Sequence, residues 1–171
     1  MQKYAFLDRD GTLIKEWGRD EHNVAHPPRN IDEVVFMNGV IEGLQELAKQ
    51  GYKFVLATDQ SYLGTPRNPQ DVYDVVMGYF YAELQKHDII FAYSMVCPHA
   101  LEDNCACKKP KIGGLEPFLH EHAGDIDFKN SLMFGDRETD RQFAENLGVN
   151  FVPIETNGTF ILPPTATPPL R

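Results

Sequence analysis

Two aspartates separated by a single arginine stand near the start of the chain, in the stretch KYAFLDRDGTLI. The apolar run at residues 4–7 indicates a buried strand and Gly11 begins a turn, so Asp8 and Asp10 should lie at the carboxyl end of that strand. Neighbouring carboxylates repel each other unless a cation lies between them or one of them stays protonated. The pair is costly as structure alone, and it predicts a cation-dependent site whose other members come from elsewhere in the chain.

A second stretch with distinctive chemistry is CPHALEDNCAC at residues 97–107. Cys97, Cys105 and Cys107 offer three sulfur ligands and His99 offers an imidazole, a complete tetrahedral shell for Zn²⁺ with no open position for a substrate. All three cysteines of the chain lie here, which favours a metal cluster over a disulfide framework. We expect a structural zinc ion. The alternative is three free or buried thiols beside a surface histidine.

The elements that would position these residues alternate between apolar strands and amphipathic helices. The periodicity predicts further strands at residues 54–57, 91–97, 131–135 and 150–154, and helices within residues 38–51, 68–86, 115–122 and 141–148. Such alternation is typical of a parallel sheet with helices on both faces. Because ligands bind at the carboxyl ends of parallel strands, Thr58 and Asp136 should join the two aspartates there.

The composition limits the function classes. The 171 residues, 42% of them hydrophobic, suit one domain with its own core. A net charge of -9 disfavours sequence-independent binding to nucleic acid. No apolar run approaches the roughly 20 residues of a membrane span, and early charges interrupt any signal-peptide core. We therefore expect a cytoplasmic protein that binds small anionic substrates through a local positive site.

Four short motifs occur in a fixed order along residues 1–155: DRDGT, a threonine after the second strand, a lysine followed by proline, and GDRETD. Together they resemble the four motifs of the haloacid dehalogenase superfamily of aspartate-nucleophile phosphatases. The resemblance implies a three-layer Rossmann-like sheet with a minimal cap. It also implies phosphomonoester hydrolysis through an aspartyl-phosphate intermediate.

The same resemblance implies roles for single residues. Asp8 would be the nucleophile, and Asp10 would act first as general acid and then as general base. Thr58 and Lys109 would bind the phosphoryl oxygens. The Mg²⁺ ion that this chemistry needs would be held by Asp8, by Asp10 through its backbone carbonyl, and by Asp136, with Asp140 behind them.

The zinc loop, residues 97–111, narrows the resemblance to one group of phosphatases within the superfamily. Its spacing, C-x-H-x5-C-x-C leading into KKPK, resembles that of bacterial histidinol-phosphate phosphatase domains, which often precede an imidazoleglycerol-phosphate dehydratase domain. This implies L-histidinol phosphate as the substrate, in histidine biosynthesis. The alternatives are a heptose-bisphosphate phosphatase, a nucleic-acid 3'-phosphatase and a catalytically silent zinc module. Asp59 departs from the family's usual asparagine, and its carboxylate would weaken phosphate binding unless it turns away.

Domain limits and specificity complete the sequence-based expectations. We predict a phosphatase domain over residues 1–155, with a zinc loop over residues 97–111, followed by a proline-rich tail or linker over residues 156–171. The aperiodic loop at residues 15–30 and the zinc loop should form the rim of the pocket. Glu16, the acidic residue of that loop nearest the nucleophile in sequence, is our candidate for binding the cationic part of histidinol; the alternative is a solvated carboxylate.

Overall fold

The computed structural model describes residues 1–21 and 24–164, and its centre is a five-stranded sheet. The strands are β1 (Lys3–Leu7), β2 (Tyr52–Asp59), β3 (Phe91–Cys97), β4 (Leu132–Gly135) and β5 (Asn150–Pro153). All neighbouring strands are parallel, in the order β3-β2-β1-β4-β5. The predicted parallel α/β class is confirmed.

Within residues 1–21 and 24–164, four α-helices connect the strands. They are α1 (Val40–Lys49), α2 (Gln70–Gln85), α3 (Glu116–Glu121) and α4 (Glu138–Leu147). Helix α4 begins three residues before the predicted start, and Asp140 Oδ2 in its first turn accepts a hydrogen bond of 3.1 Å from the Arg137 backbone N–H at that start. Among the described residues, no helix combines the length and the apolar character needed to cross a membrane.

The sheet is covered on both faces, as a three-layer fold requires. In β1, Ala5 and Leu7 belong to the core under α1 and α2, whereas Tyr4 and Phe6 belong to the core under α3 and α4. Alternate residues of a strand point to opposite faces, so a strand that is apolar on every residue must lie inside the sheet. This accounts for the unbroken apolar run of β1 at the centre of the sheet.

The strand order determines which motifs meet. The chain leaves β1 toward β2 on one side and later returns to β4 on the other side, so the carboxyl end of β1 lies at the point where the strand order reverses. Side chains that follow β1, β2 and β4 therefore converge at one edge of the sheet. The fold thus brings three of the four sequence motifs into one crevice.

The chain beyond β5 packs back onto the domain. Phe160 is only 4% exposed, and its ring stacks on Phe134 with 4.8 Å between the ring centroids. It also lies over Gly43 of α1, where a Cβ atom would come within 2.7 Å of the Phe160 ring. The first part of the predicted tail therefore contributes to the core, while residues 165–171 lie outside the described residues. The boundary at residue 155 stays a prediction.

We predict that Phe160→Ala destabilises the domain by about 3–5 kcal/mol, the usual cost of deleting a buried phenylalanine ring. The adjacent Ile161 is 65% exposed, so Ile161→Ala should stay within about 0.5 kcal/mol of the wild type. Urea unfolding of the two variants measures both values. Equal stabilities would show that residues 156–164 do not pack on the domain in solution.

Candidate active site

The candidate site lies at the carboxyl edge of the sheet and contains a lysine between two buried carboxylates. Lys109, from the loop after β3, places its Nζ 2.6 Å from Asp8 Oδ1 and 2.6 Å from Asp140 Oδ1. Asp8 follows β1 directly, and Asp140 lies in the first turn of α4. All three side chains are buried. The structure thus brings together residues from three motifs, with Lys109 lying 101 positions from Asp8 and 31 positions from Asp140 in the sequence.

Burial and charge act against each other at this ion triad. Burial raises the pKa of Asp8 well above its usual value, and the nearby Lys109 ammonium offsets this rise only in part. Burial alone would lower the pKa of Lys109, but the carboxylates of Asp140 and Asp8 outweigh that effect and raise it. Lys109 therefore keeps its positive charge and is the local cation that the acidic sequence requires.

Asp136 completes a group of carboxylates suited to a divalent cation. Carboxylate oxygens of Asp8, Asp136 and Asp140 lie within 4.8 Å of one another. The Thr156 hydroxyl donates a hydrogen bond of 2.7 Å to Asp136 Oδ2, whereas Oδ1 of the same carboxylate is buried with no partner among the described residues. A buried acceptor without a donor is costly. Hard oxygen ligands with one unpartnered acceptor fit Mg²⁺, as the sequence predicts.

Two glycines in the motifs allow this close approach. Gly11 has φ +86°, and a Cβ atom there would lie 2.7 Å from Asp136 Oδ2. A Cβ atom on Gly135 would lie 2.4 Å from the Cβ of Asp140. Any larger residue at either position would push a carboxylate away from the others. The glycines of DRDGT and GDRETD therefore have a steric reason to stand beside the aspartates.

Asp10 is held by two residues to which the sequence motifs assign no role. The fully buried Arg9 guanidinium lies 2.9 Å from Asp10 Oδ2, and the Gln60 amide donates to the same oxygen over 2.8 Å. Gln60 also donates to Thr58 Oγ1 over 2.8 Å. Thr58 and Asp10, predicted from separate motifs, are thus joined through one amide.

Asp59 turns toward the backbone of the lysine segment. Its Oδ1 accepts a hydrogen bond of 3.3 Å from the Lys109 backbone N–H, although the residue still lines the cavity above the site. Burial raises the pKa of Asp59, and the charges of Lys109 and Lys108 oppose this rise. The Asp59 carboxylate therefore contacts the segment that carries Lys109.

Glu16 is buried between two arginines. Its carboxylate pairs with Arg19 over 2.8 Å and with Arg137, and Arg137 Nε lies 3.8 Å from Asp136 Oδ2. Its backbone is bound by both polar atoms of the Asn157 side chain. The predicted role of Glu16 toward a cationic substrate group stays a prediction. The observed contacts favour a role in holding Arg137 beside the carboxylate group.

The predicted zinc ligands lie together at the end of β3. The Sγ atoms of Cys97, Cys105 and Cys107 are 3.2–3.6 Å apart, and His99 Nδ1 lies 3.1 Å from Cys107 Sγ and 3.8 Å from Cys97 Sγ. A tetrahedron with Zn–S bonds of about 2.3 Å has edges of about 3.8 Å. The cluster could hold a metal ion, and its ligand types and spacing fit Zn²⁺.

A cavity of about 260 Å³ opens above the site. Its rim is formed by the loop at residues 15–30, through Val24 and Pro27, and by the zinc loop, through Leu101 and Lys108. Both loops that were predicted to form the rim therefore contribute to the lining of this cavity, and their role toward a substrate stays a prediction.

Comparison with known proteins identifies the family. Residues 3–156 match the family described as polynucleotide kinase 3 phosphatase. The chain belongs to this family. It is also 38% identical over 160 residues to the histidine biosynthesis bifunctional protein HisB of Legionella pneumophila, and 37% identical over 147 residues to HisB of Buchnera aphidicola. These matches cover 94% and 86% of the chain but only 43% and 39% of the relatives. The chain thus spans less than half the length of these curated relatives.

Solved structures agree on the fold. The D,D-heptose 1,7-bisphosphate phosphatase of B. bronchiseptica superposes with a TM-score of 0.73 at 24% identity, covering 88% of this chain and 79% of that one. A HAD-like phosphatase from Mesorhizobium loti superposes with a TM-score of 0.71 at 21% identity, covering 86% and 69%. The fold is that of the haloacid dehalogenase phosphatases. Together with the family match, this makes the chain a phosphatase domain of that type.

We predict that Lys109→Met lowers the free energy of unfolding at pH 8 by about 3–5 kcal/mol, because it leaves buried carboxylates without their cation. The exposed Lys53 on β2 provides the control, and Lys53→Met should cost less than about 0.5 kcal/mol. Urea unfolding without added divalent cations measures both.

The loss should shrink at pH 5. Because burial already raises the pKa of Asp8, a proton can replace the missing ammonium in the folded variant. The folded state then holds a proton that the unfolded chain has released, so the variant gains stability as the pH falls. An equal loss at both pH values would show that Asp8 takes up no proton.

Proposed function

We propose that this domain hydrolyses a phosphomonoester in two steps through Asp8, and that its substrate is L-histidinol phosphate. The observation that carries the proposal is the ion pair between Asp8 and Lys109 beside Asp136 Oδ1, which has no partner among the described residues. This arrangement combines a nucleophile, a cation and a carboxylate oxygen that is free to bind a metal ion. The likeness to the HisB proteins over 94% of the chain supports the choice of substrate.

In the first step, a carboxylate oxygen of Asp8 attacks phosphorus and the bond to the ester oxygen breaks. Asp10 gives its proton to the leaving alkoxide. Lys109 neutralises charge on Asp8 and on the phosphoryl group, and Thr58 donates to a phosphoryl oxygen. The products of this step are the free alcohol and an aspartyl-phosphate on Asp8.

In the second step, Asp10 takes a proton from water, and the resulting hydroxide attacks phosphorus. The bond between Asp8 and phosphorus breaks, which releases inorganic phosphate and restores the Asp8 carboxylate. Asp10 thereby returns to its protonated form and is ready for the next cycle. One carboxylate thus serves as the acid and then as the base.

We propose that Asp8, Asp136 and the backbone carbonyl of Asp10 hold Mg²⁺, with Asp140 supporting them through its hydrogen bonds from Lys109 and from the Arg137 backbone N–H. When bound, the ion offsets the repulsion between the carboxylates and the phosphate ester. We assign Zn²⁺ to the cluster at Cys97, with a structural role, because its four ligands leave no open position. A second domain would follow in a longer chain, as the length of the HisB relatives suggests.

A heptose bisphosphate is the second candidate substrate. Basic side chains of Arg19, Arg137 and Lys108 line the cavity outside Lys109, and they would suit a second phosphate group. Asp59 lines the same cavity with the opposite charge. A nucleic-acid 3'-phosphate, which the family description suggests, has weaker support because the net charge is -9.

Turnover measurements on four esters test the substrate. We expect kcat/KM for L-histidinol phosphate to exceed that for heptose 1,7-bisphosphate, a 3'-phosphorylated oligonucleotide and glycerol phosphate, with activity that requires added Mg²⁺. A higher kcat/KM for another ester would contradict the choice of substrate and leave the phosphatase chemistry unchanged. No turnover of any ester would leave a silent zinc module.

Asp8→Asn should keep the fold but lower turnover on the order of 10⁴-fold, because an amide is a poor nucleophile. The exposed Asp71 on α2 is the matched control, and Asp71→Asn should leave the rate unchanged. Trapping of labelled phosphate on the wild type, and not on the Asp8 variant, would identify the covalent intermediate. A near wild-type rate for Asp8→Asn contradicts the assignment.

For the zinc cluster, elemental analysis of protein purified without chelator should give one zinc ion per chain. His99→Asn should lose the zinc, loosen residues 97–111 and lower activity by displacing Lys109. His120→Asn on α3, outside the cluster, should keep both zinc and activity. Zinc-free wild-type protein with full activity would contradict this assignment.

A further inference from the structure

The buried amide of Gln60 connects two motif residues of the site, Asp10 and Thr58. Gln60 is 3% exposed and follows β2, two residues after Thr58, so the two side chains point to the same side of the strand end. The backbone N–H of Gln60 donates to the Cys97 carbonyl over 2.8 Å, which anchors it to the end of β3. Its side chain is therefore fixed at both the backbone and the amide.

The orientation of the Gln60 amide is dictated by Arg9. A guanidinium can only donate hydrogen bonds, so the Gln60 atom 2.9 Å from Arg9 Nη2 must be the oxygen Oε1. The amide nitrogen then faces away from Arg9, where its two protons reach Asp10 Oδ2 and Thr58 Oγ1, each over 2.8 Å. Every polar atom of the side chain is satisfied, and a flipped amide would place N–H groups against the guanidinium.

Arg9 is itself fixed in one position. Its guanidinium is completely buried, lies within 2.9–3.2 Å of both carboxylate oxygens of Asp10, and places Nη1 3.1 Å from Met77 Sδ. The Tyr73 ring lies 6.0 Å from the guanidinium carbon. Because these contacts hold the Arg9 guanidinium from several sides, its position is fixed. Arg9 therefore also fixes the position of the Gln60 amide that it binds.

We propose that Gln60 is a positioning residue that orients Asp10 and Thr58 together, with Arg9 determining the direction of the amide. This inference rests on the proposed function, in which Asp10 transfers the proton and Thr58 binds phosphate. Because Thr58 Oγ1 accepts a hydrogen bond from Gln60, its own proton points to another acceptor, and a phosphoryl oxygen would fill that place. The same amide fixes the oxygen of Asp10 relative to the leaving group.

The test compares esters that need proton donation with one that does not. Histidinol phosphate has a poor alkoxide leaving group, whereas p-nitrophenyl phosphate releases a stable phenolate. Only the first step differs between the two esters, because Asp10 also acts as the base of the second step for both. We expect Gln60→Met, which keeps the size but loses the amide, to lower the rate of the first step, measured as pre-steady-state release of the alcohol or phenolate, about 100-fold on histidinol phosphate and less than about 10-fold on p-nitrophenyl phosphate. Asp10→Asn should show the same difference between the two esters, which we call the leaving-group split. Gln85→Met, at the exposed end of α2, should change neither rate.

A second measurement follows Thr58 with inorganic phosphate as the probe. Gln60→Met and Thr58→Val should each raise the inhibition constant of phosphate, and the double variant should show no further rise, because both changes remove one shared hydrogen bond. If Gln60→Met folds poorly, Gln60→Glu provides the same test. It keeps an oxygen toward Arg9 and loses both donors, so the leaving-group split should remain.

The outcomes separate this role from the proposed function. Equal losses on both esters for Gln60→Met, together with a split for Asp10→Asn, would overturn the positioning role and leave the phosphatase assignment intact. Additive effects of Gln60→Met and Thr58→Val on phosphate inhibition would overturn the link to Thr58. A wild type that hydrolyses neither ester would overturn the proposed function and this role with it.

Discussion

The mutual repulsion of carboxylates at one sheet edge is the constraint on which the rest of this structure depends. Asp8, Asp136 and Asp140 offer oxygens within 4.8 Å of one another in a buried region, where charges are poorly screened. The ammonium group of Lys109 lies between two of them and offsets part of the repulsion. Asp136 keeps a buried oxygen with no partner among the described residues. The site therefore carries a cost in the protein alone that a bound divalent cation would remove.

The segment that carries Lys109 is held by contacts with neighbouring loops. The segment that carries it has a backbone N–H bound by Asp59 and leaves the metal cluster two residues after Cys107. Lys108 binds the Ser61 hydroxyl and the carbonyl of His99, which ties this segment to the loop after β2. Four side chains that could hold a metal ion thus lie next to the segment that carries Lys109, the lysine between two buried carboxylates.

The fold was predictable because the sequence patterns that indicate strands and helices are local. Much of the site was not predictable, because it depends on contacts between residues far apart in the sequence. Unbroken apolar runs indicate the central strands. The motifs DRDGT and GDRETD place carboxylates at strand ends, and a parallel sheet brings those ends to one edge. Gln60 and Arg9 carry no such signal, because their role depends on a hydrogen bond between residues 51 positions apart. Thr156 and Phe160 follow the last strand in a proline-rich stretch, and only tertiary packing reveals their contacts with Asp136 and Phe134. Glu16 is acidic, but the sequence does not indicate that two arginines neutralise it.

The charges around the cavity have consequences for the leaving group. Glu16 lies between Arg19 and Arg137, so these three side chains together contribute one positive charge, and Lys108 adds another. These charges favour a leaving group with an anionic part. Asp59 acts in the opposite direction. Burial raises the pKa of Asp59, and Lys109 and Lys108 oppose that rise, so the lysines that attract phosphate also favour the ionised carboxylate. A cationic amine near Asp59 would strengthen the same effect, so the charges around the cavity suit a cationic group beside Asp59 as well as an anionic group beside the arginines.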